Sequence, residues 1–193
     1  MCVFSLKLIL VKEMIYTHKE LKEKYGSDYQ IQKAVKEGTI YKIEAGIYSN
    51  KKNNHYLDIF VHKYPNAIIS GDSAYYYHNL TDVVPKKIFM TTDRTSSRFN
   101  DEHIVQSYST SNYFKLGKTS IEYEGIKINI YDKERMLVEL VKNKNSTPYD
   151  YYKEIINNYR KIKDSLDIYK LQEYIDIYPN GEKIMSIIQD EVF

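Results

Sequence analysis

Residues 17–49 read THKELKEKYGSDYQIQKAVKEGTIYKIEAGIYS, and the hydrophobic period changes within them. Thr17 and Glu20 have the spacing of a capping box, in which hydroxyl and carboxylate each accept from an N–H that the first helical turn leaves unpaired. The helix so begun ends near Gly26, and Ser27 or Asp28 can cap the next one. There Ile31, Ala34 and Val35 recur at helical spacing and face inward, Gln30, Lys33 and Lys36 face outward, and Gly38 supplies the stop. Beyond Gly38 the period becomes two. Residues 39–43 and 47–49 predict strands around Glu44-Ala45-Gly46, where glycine can take the positive φ of a tight turn.

Working outward, residues 4–13 predict a helix with Leu6, Ile9 and Leu10 on one face, followed by a short extended piece over 14–16. The order helix, helix, short turn, helix, hairpin is that of a winged helix-turn-helix. The polar, turn-like stretch Lys51-Lys52-Asn53-Asn54 marks the expected domain boundary. Past it, helices are expected over 56–64 and 74–80 and strands over 67–69, 86–92, 103–108, 120–123 and 126–131, with Glu124-Gly125 as a hairpin turn. Asp132 caps a helix with the apolar stripe Met136, Leu137, Leu140 and Val141. Helical segments over 149–161, 167–177 and 181–192 form a tail. The expected fold class is α+β: a winged helix-turn-helix over 1–54, then a C-terminal domain over 55–193 with a small sheet and a helical tail from about 149.

At 193 residues, with 42% hydrophobic and 28% charged side chains, the chain can bury a sizeable core. The single cysteine, Cys2, excludes a disulfide framework and a zinc site built on cysteine pairs, and fits a reducing, cytoplasmic setting. The apolar run over 3–11 is too short to span a bilayer and is broken by Ser5 and Lys7. Net charge is only +2, but it is unevenly placed. Residues 1–55 hold ten lysines against six acids, a net +4; residues 56–193 hold eighteen basic against twenty acidic side chains, a net −2. That asymmetry favours a phosphate contact in the N-terminal part, although lysines on an ordinary surface have the same composition. The 21 tyrosines, with lysine preferred over arginine, match the codon bias of an A·T-rich genome.

A helix in the major groove presents side chains to base edges while lysines and a wing grip the backbone. The candidates for bases are Tyr29, Gln30, Gln32 and Lys33; those for phosphate are Lys36, Lys22, Lys42 and Lys51. Glutamine pairs well with adenine, and it is equally at home on any solvated helix face. Helical triads with hairpins also serve as protein-binding modules. Catalytic alternatives have little to stand on. Gly71-Asp72-Ser73-Ala74-Tyr75 departs from a nucleophile elbow at Tyr75, where the final glycine would be, so Ser73 reads as a helix-start residue. His78, near it, reads as a packing residue. The five histidines lack ligand spacing, and the acid-x-acid pairs Glu122/Glu124 and Asp132/Glu134 have surface or capping explanations. No glycine-rich phosphate loop is present, and no cofactor is expected.

Several segments in order resemble the AbiEi family, the antitoxin and transcriptional-repressor half of type IV toxin-antitoxin systems in bacterial phage defence. They are Val35-Lys36-Glu37-Gly38 leading to Ile40-Tyr41-Lys42-Ile43 and Gly46-Ile47-Tyr48; Ile68-Ile69-Ser70-Gly71-Asp72-Ser73-Ala74 with His78 and Leu80; and Tyr131-Asp132-Lys133-Glu134-Arg135 with Leu137, Val138 and Leu140. The resemblance implies a winged-helix domain that represses its own operon by binding inverted repeats in double-stranded operator DNA. It also implies a C-terminal domain that counteracts a nucleotidyltransferase toxin, usually without a stable complex, and no enzymatic activity or membrane partner. The alternative reading is a protein-interaction module that neutralises the toxin by direct binding, with DNA binding secondary. Two departures stand out: Glu44 and Ala45 occupy a wing turn that is arginine-rich in relatives, and Glu139 stands where aspartate is common. The first shifts the expected contact from the wing to the helix over 29–37.

Overall fold

A computed structural model of the protein describes residues 14–193, so the helix expected over 4–13 lies outside the described residues. The fold is α+β, and the chain divides after Pro65 into two units.

The first unit contains β1 (Ile15–Thr17), α1 (His18–Tyr25), α2 (Asp28–Lys36), β2 (Tyr41–Glu44), β3 (Ile47–Ser49) and α3 (Tyr56–Lys63). Its three strands form an antiparallel sheet in the order β1-β3-β2. The capping box forms as its spacing predicts: the Glu20 N–H donates to Thr17 Oγ1 at 3.3 Å and the Thr17 N–H to Glu20 Oε2 at 2.7 Å. The second of these bonds favours the ionised form and holds the Glu20 carboxyl below its usual range. Gly26, at φ 80°, ends α1, and Ser27 Oγ caps α2 by accepting from the Gln30 N–H at 3.4 Å.

Gly38, at φ 73°, closes α2 in a Schellman arrangement: its N–H donates to the Val35 carbonyl and that of Thr39 to the Ala34 carbonyl, at 3.1 and 3.0 Å. Thr39 and Ile40 are spent on that closure, which is why β2 begins at Tyr41 rather than at 39 and runs on through Glu44. Leu21 from α1, Ile31 and Ala34 from α2, Ile40 and Tyr48 make one buried cluster. A second joins Ile15 and Ile47 of the sheet to Ile59 of α3. This second cluster corrects the expected boundary at 54/55. The turn over Lys51 to Asn54 is present, but α3 belongs with the sheet before it and the division falls after Pro65.

The second unit contains β4 (Ile68–Ile69), α4 (Gly71–Tyr77), β5 (Ile88–Asp93), β6 (Ile104–Ser109), α5 (Ser111–Phe114), β7 (Lys118–Tyr123), β8 (Ile126–Tyr131), α6 (Lys133–Lys142), α7 (Tyr149–Ile162), α8 (Ile168–Ile175) and α9 (Gly181–Glu191). The strand order is β6-β5-β4-β8-β7. Within it β4 and β8, and β5 and β6, run parallel, and the remaining neighbours are antiparallel. Central β4 is only two residues long, yet Ile68 and Ile69 are fully buried, pairing Thr91 and Met90 on one side and Ile130 on the other.

Helix α4 starts three residues before the expected 74 and stops at Tyr77. Its end is set by Asn79 at φ 57°, a left-handed position that asparagine tolerates, with the Leu80 N–H donating to the Tyr75 carbonyl at 2.8 Å. Met136, Leu137 and Leu140 of α6 and Tyr152, Ile155, Ile156 and Tyr159 of α7 are buried. Many of the tyrosines carry structure. Tyr75 donates to the Met136 carbonyl at 3.1 Å, Tyr159 to the Lys133 carbonyl at 2.8 Å and Tyr174 to Asp132 Oδ2 at 2.8 Å, so each large apolar ring brings a hydrogen bond for its polar tip.

Candidate nucleic-acid interface

Helix α2 buries Ile31 and Ala34 and half-buries Val35, so its opposite face is fixed by the 100° step between residues. That face carries Tyr29, Gln32, Lys33 and Lys36, all exposed, with Tyr29 74% accessible at the helix start. Gln30 is exposed on the flank. Four of the five candidates on this helix therefore share one stripe, as helical spacing requires.

The charges on the stripe differ in their freedom. Lys33 lies 3.8 Å from Glu37, an exposed i,i+4 pair that is worth little in water and yields readily to a stronger anion. Lys36 has no ion-pair partner among the described residues. Asp28, at the start of α2, is contacted by His18 at 3.0 Å and by Lys22 at 3.6 Å, both from α1. Lys22 is thus engaged at the junction of the two helices rather than presented alone. Lys42 is exposed on β2, and Lys51 follows β3, its N–H bonded to Ser49 Oγ at 3.0 Å. The structure brings together the α2 residues; Lys22, Lys42 and Lys51 stand on three other segments of the same unit.

Two features escape a reading along the chain. Glu44, the acid expected to weaken the wing, is bonded to Lys63 of α3 at 2.8 Å, which offsets its charge; nothing local in sequence connects residues 19 apart. Lys52 sits over the Tyr41 ring at 5.7 Å, and Lys24 over Tyr16 at 4.9 Å, so these cations are anchored by aromatic faces.

The residues weighed for catalysis have structural employment. Ser73 is inside α4, fully buried, and its Oγ accepts from the Phe89 N–H at 2.9 Å and donates to the Lys87 carbonyl at 3.3 Å; the helix-start position belongs to Ser70. His78 is buried with Nε2 2.7 Å from the Tyr131 carbonyl, and desolvation lowers its pKa despite that bond. Asp132 caps α6 through the Arg135 N–H at 2.9 Å, and Glu134 accepts from the Asp167 N–H at 2.9 Å. Among the described residues no group of three or more His, Cys, Asp or Glu side chains is placed to hold a metal ion, and no helix is long and apolar enough to cross a membrane.

No family model matches the chain, and no curated protein matches it. Its fold is similar to that of the RV2827C protein from Mycobacterium tuberculosis, known from a crystal structure, with a TM-score of 0.60 at 11% sequence identity. The similarity covers 92% of this chain and 72% of that one. At that identity the likeness is one of fold alone.

Proposed function

We propose that the first unit is a winged helix-turn-helix that binds double-stranded operator DNA, and that the protein is an autorepressor and antitoxin of the AbiEi kind, counteracting a nucleotidyltransferase toxin. The observation that carries the DNA-binding reading is the α2 stripe of Tyr29, Gln32, Lys33 and Lys36, exposed on a helix whose other face is locked by Leu21, Ile40 and Tyr48. The element order β1-α1-α2-β2-β3, with β3 between β1 and β2, supports it, because that arrangement presents a second helix and a hairpin as recognition helix and wing. In this reading α2 enters the major groove, with Gln32 and Tyr29 reaching bases and Lys33, Lys36 and Lys42 meeting phosphates. The antitoxin part rests on the sequence resemblance.

The test is a mobility shift of the full chain on duplex DNA from upstream of its own gene. Replacing Lys33 and Lys36 together by alanine is expected to weaken binding and to flatten the dependence of log Kobs on log salt by about 1.8, at about 0.9 for each lost phosphate contact. Both lysines are exposed, so the double variant should stay within about 0.5 kcal/mol per site of the parent in stability. Unchanged binding and slope would remove α2 from the interface.

A further inference from the structure

The second unit holds a cavity of about 620 Å³ between the start of α4, the face of β5 and β6, and α6. That volume falls in the range of small-molecule sites. Its unusual member is Arg135, only 5% exposed. Nη2 lies 2.8 Å from Glu139 Oε1, and the guanidinium stacks on the Tyr131 ring at 5.4 Å. Nε and Nη1 are buried with no hydrogen-bond partner among the described residues. They carry three of the five N–H bonds of the guanidinium, and buried donors left unpaired are rare in folded proteins. Room for this side chain is made on purpose by Gly117: a Cβ there would come within 2.6 Å of the Arg135 Cβ.

The surroundings fit one chemistry. Glu139 is shared among three donors, since Tyr178 donates to Oε1 at 2.8 Å and Lys142 lies 3.7 Å from Oε2. Two cations thus face one carboxylate on the α6 side. Across the cavity a row of hydroxyls forms a polar wall: Thr91 Oγ1 donates to Ser70 Oγ at 2.9 Å, and Ser107, which is exposed, donates to the Met90 carbonyl at 3.1 Å. The nearby tyrosine hydroxyls are occupied, Tyr75 with the Met136 carbonyl and Tyr131 with the Phe114 carbonyl, so their rings serve as walls. Asp72, at the α4 side, has its carboxyl pKa raised by burial.

We propose that this cavity binds a small molecule bearing an oxyanion, phosphate or carboxylate, with Arg135 as its principal contact. A guanidinium with free N–H groups at Nε and Nη1 suits an oxyanion through charge-assisted bonds while Nη2 stays on Glu139, whose carboxylate is also held by Tyr178 and Lys142. This site is independent of the DNA-binding reading and survives its failure.

The experiment titrates the full chain separately with inorganic phosphate, adenosine monophosphate and citrate, up to about 10 mM, by calorimetry and by the arginine Nε–H resonances. At least one probe is expected to bind with a Kd below about 1 mM and to shift the Arg135 resonance, and Arg135→Gln is expected to weaken it at least about tenfold. Binding of the two phosphates without citrate assigns a phosphate ligand, and the reverse assigns a carboxylate. Should Arg135→Gln fail to fold, Ser107→Phe, which fills the exposed side of the cavity, must abolish the binding seen in the parent. No binding by any probe, an unmoved Arg135 resonance, or binding indifferent to these substitutions overturns the proposal.

Discussion

Leu21→Ala is expected to lower the stability of the first unit by about 2–5 kcal/mol, the cost of deleting a fully buried leucine from a packed core. Leu21 is the only fully buried side chain of α1, and it meets Ile31 and Ala34 of α2, Ile40 and Tyr48 in one cluster. Total stability for a unit of this size is on the order of 3–10 kcal/mol at about 0.05–0.15 kcal/mol per residue, so the deletion removes a large share of it. The consequence reaches the proposed interface, because the orientation of Tyr29, Lys33 and Lys36 is set by what the far side of α2 packs against. Urea unfolding followed by the amide resonances of residues 14–65 measures the effect. Leu21→Met, which conserves volume, should cost less than about 1.5 kcal/mol, and a loss for Leu21→Ala below about 1 kcal/mol would contradict the packing described.

Asp132→Ala is expected to cost the second unit about 2–4 kcal/mol, because one carboxylate serves several elements. Oδ1 caps α6 by accepting from the Arg135 N–H at 2.9 Å; Oδ2 accepts from the Tyr174 hydroxyl at 2.8 Å and faces Lys170 at 3.4 Å. Loss of the cap accounts for about 0.5–2 kcal/mol. The buried Tyr174 hydroxyl, left without an acceptor, adds about 1–3 kcal/mol. Lys170 is half exposed and contributes little. Asp132→Asn keeps one carbonyl oxygen for the cap and places an NH2 donor beside the Tyr174 hydroxyl, which can turn to accept, so denaturant unfolding should show it less destabilised than alanine. If alanine and asparagine are equally harmful, the second carboxylate oxygen and its charge, rather than the helix cap, carry the stabilisation at position 132.

Local chemistry made much of the fold legible. Thr17 with Glu20, Ser27, Gly38, Gly46 and Asp132 act through partners within a few residues, and each performs at its position the capping or turning role its residue type suggests. Element ends were harder to read where neighbours in sequence compete: Thr39 and Ile40 look like strand residues but close a helix. What lies farther apart was not legible. The pairing of Ile59 with Ile15 and Ile47 moves the unit boundary past α3, and no turn signal records it. The four-residue α5 has no room for a hydrophobic period and went unforeseen.

The candidate interface divides along the same line. The α2 stripe follows from the 3.6-residue period alone, whereas the engagement of Lys22 by Asp28 and of Glu44 by Lys63 depends on how elements meet. Arg135 shows the limit most clearly. In sequence it is one more charged residue near the start of an amphipathic helix. Gly117 and Tyr131 are what turn it into a buried cation with donors to spare.

The most direct measurement is fluorescence anisotropy of the unmodified full chain on a labelled duplex from upstream of its gene, titrated between about 50 and 200 mM salt. If Lys33, Lys36 and Lys42 each neutralise one phosphate, log Kobs falls against log salt with a slope of about −2.7 or steeper. An affinity that does not respond to salt, or no detectable association with the duplex, would contradict the assignment of the first unit as a reader of DNA.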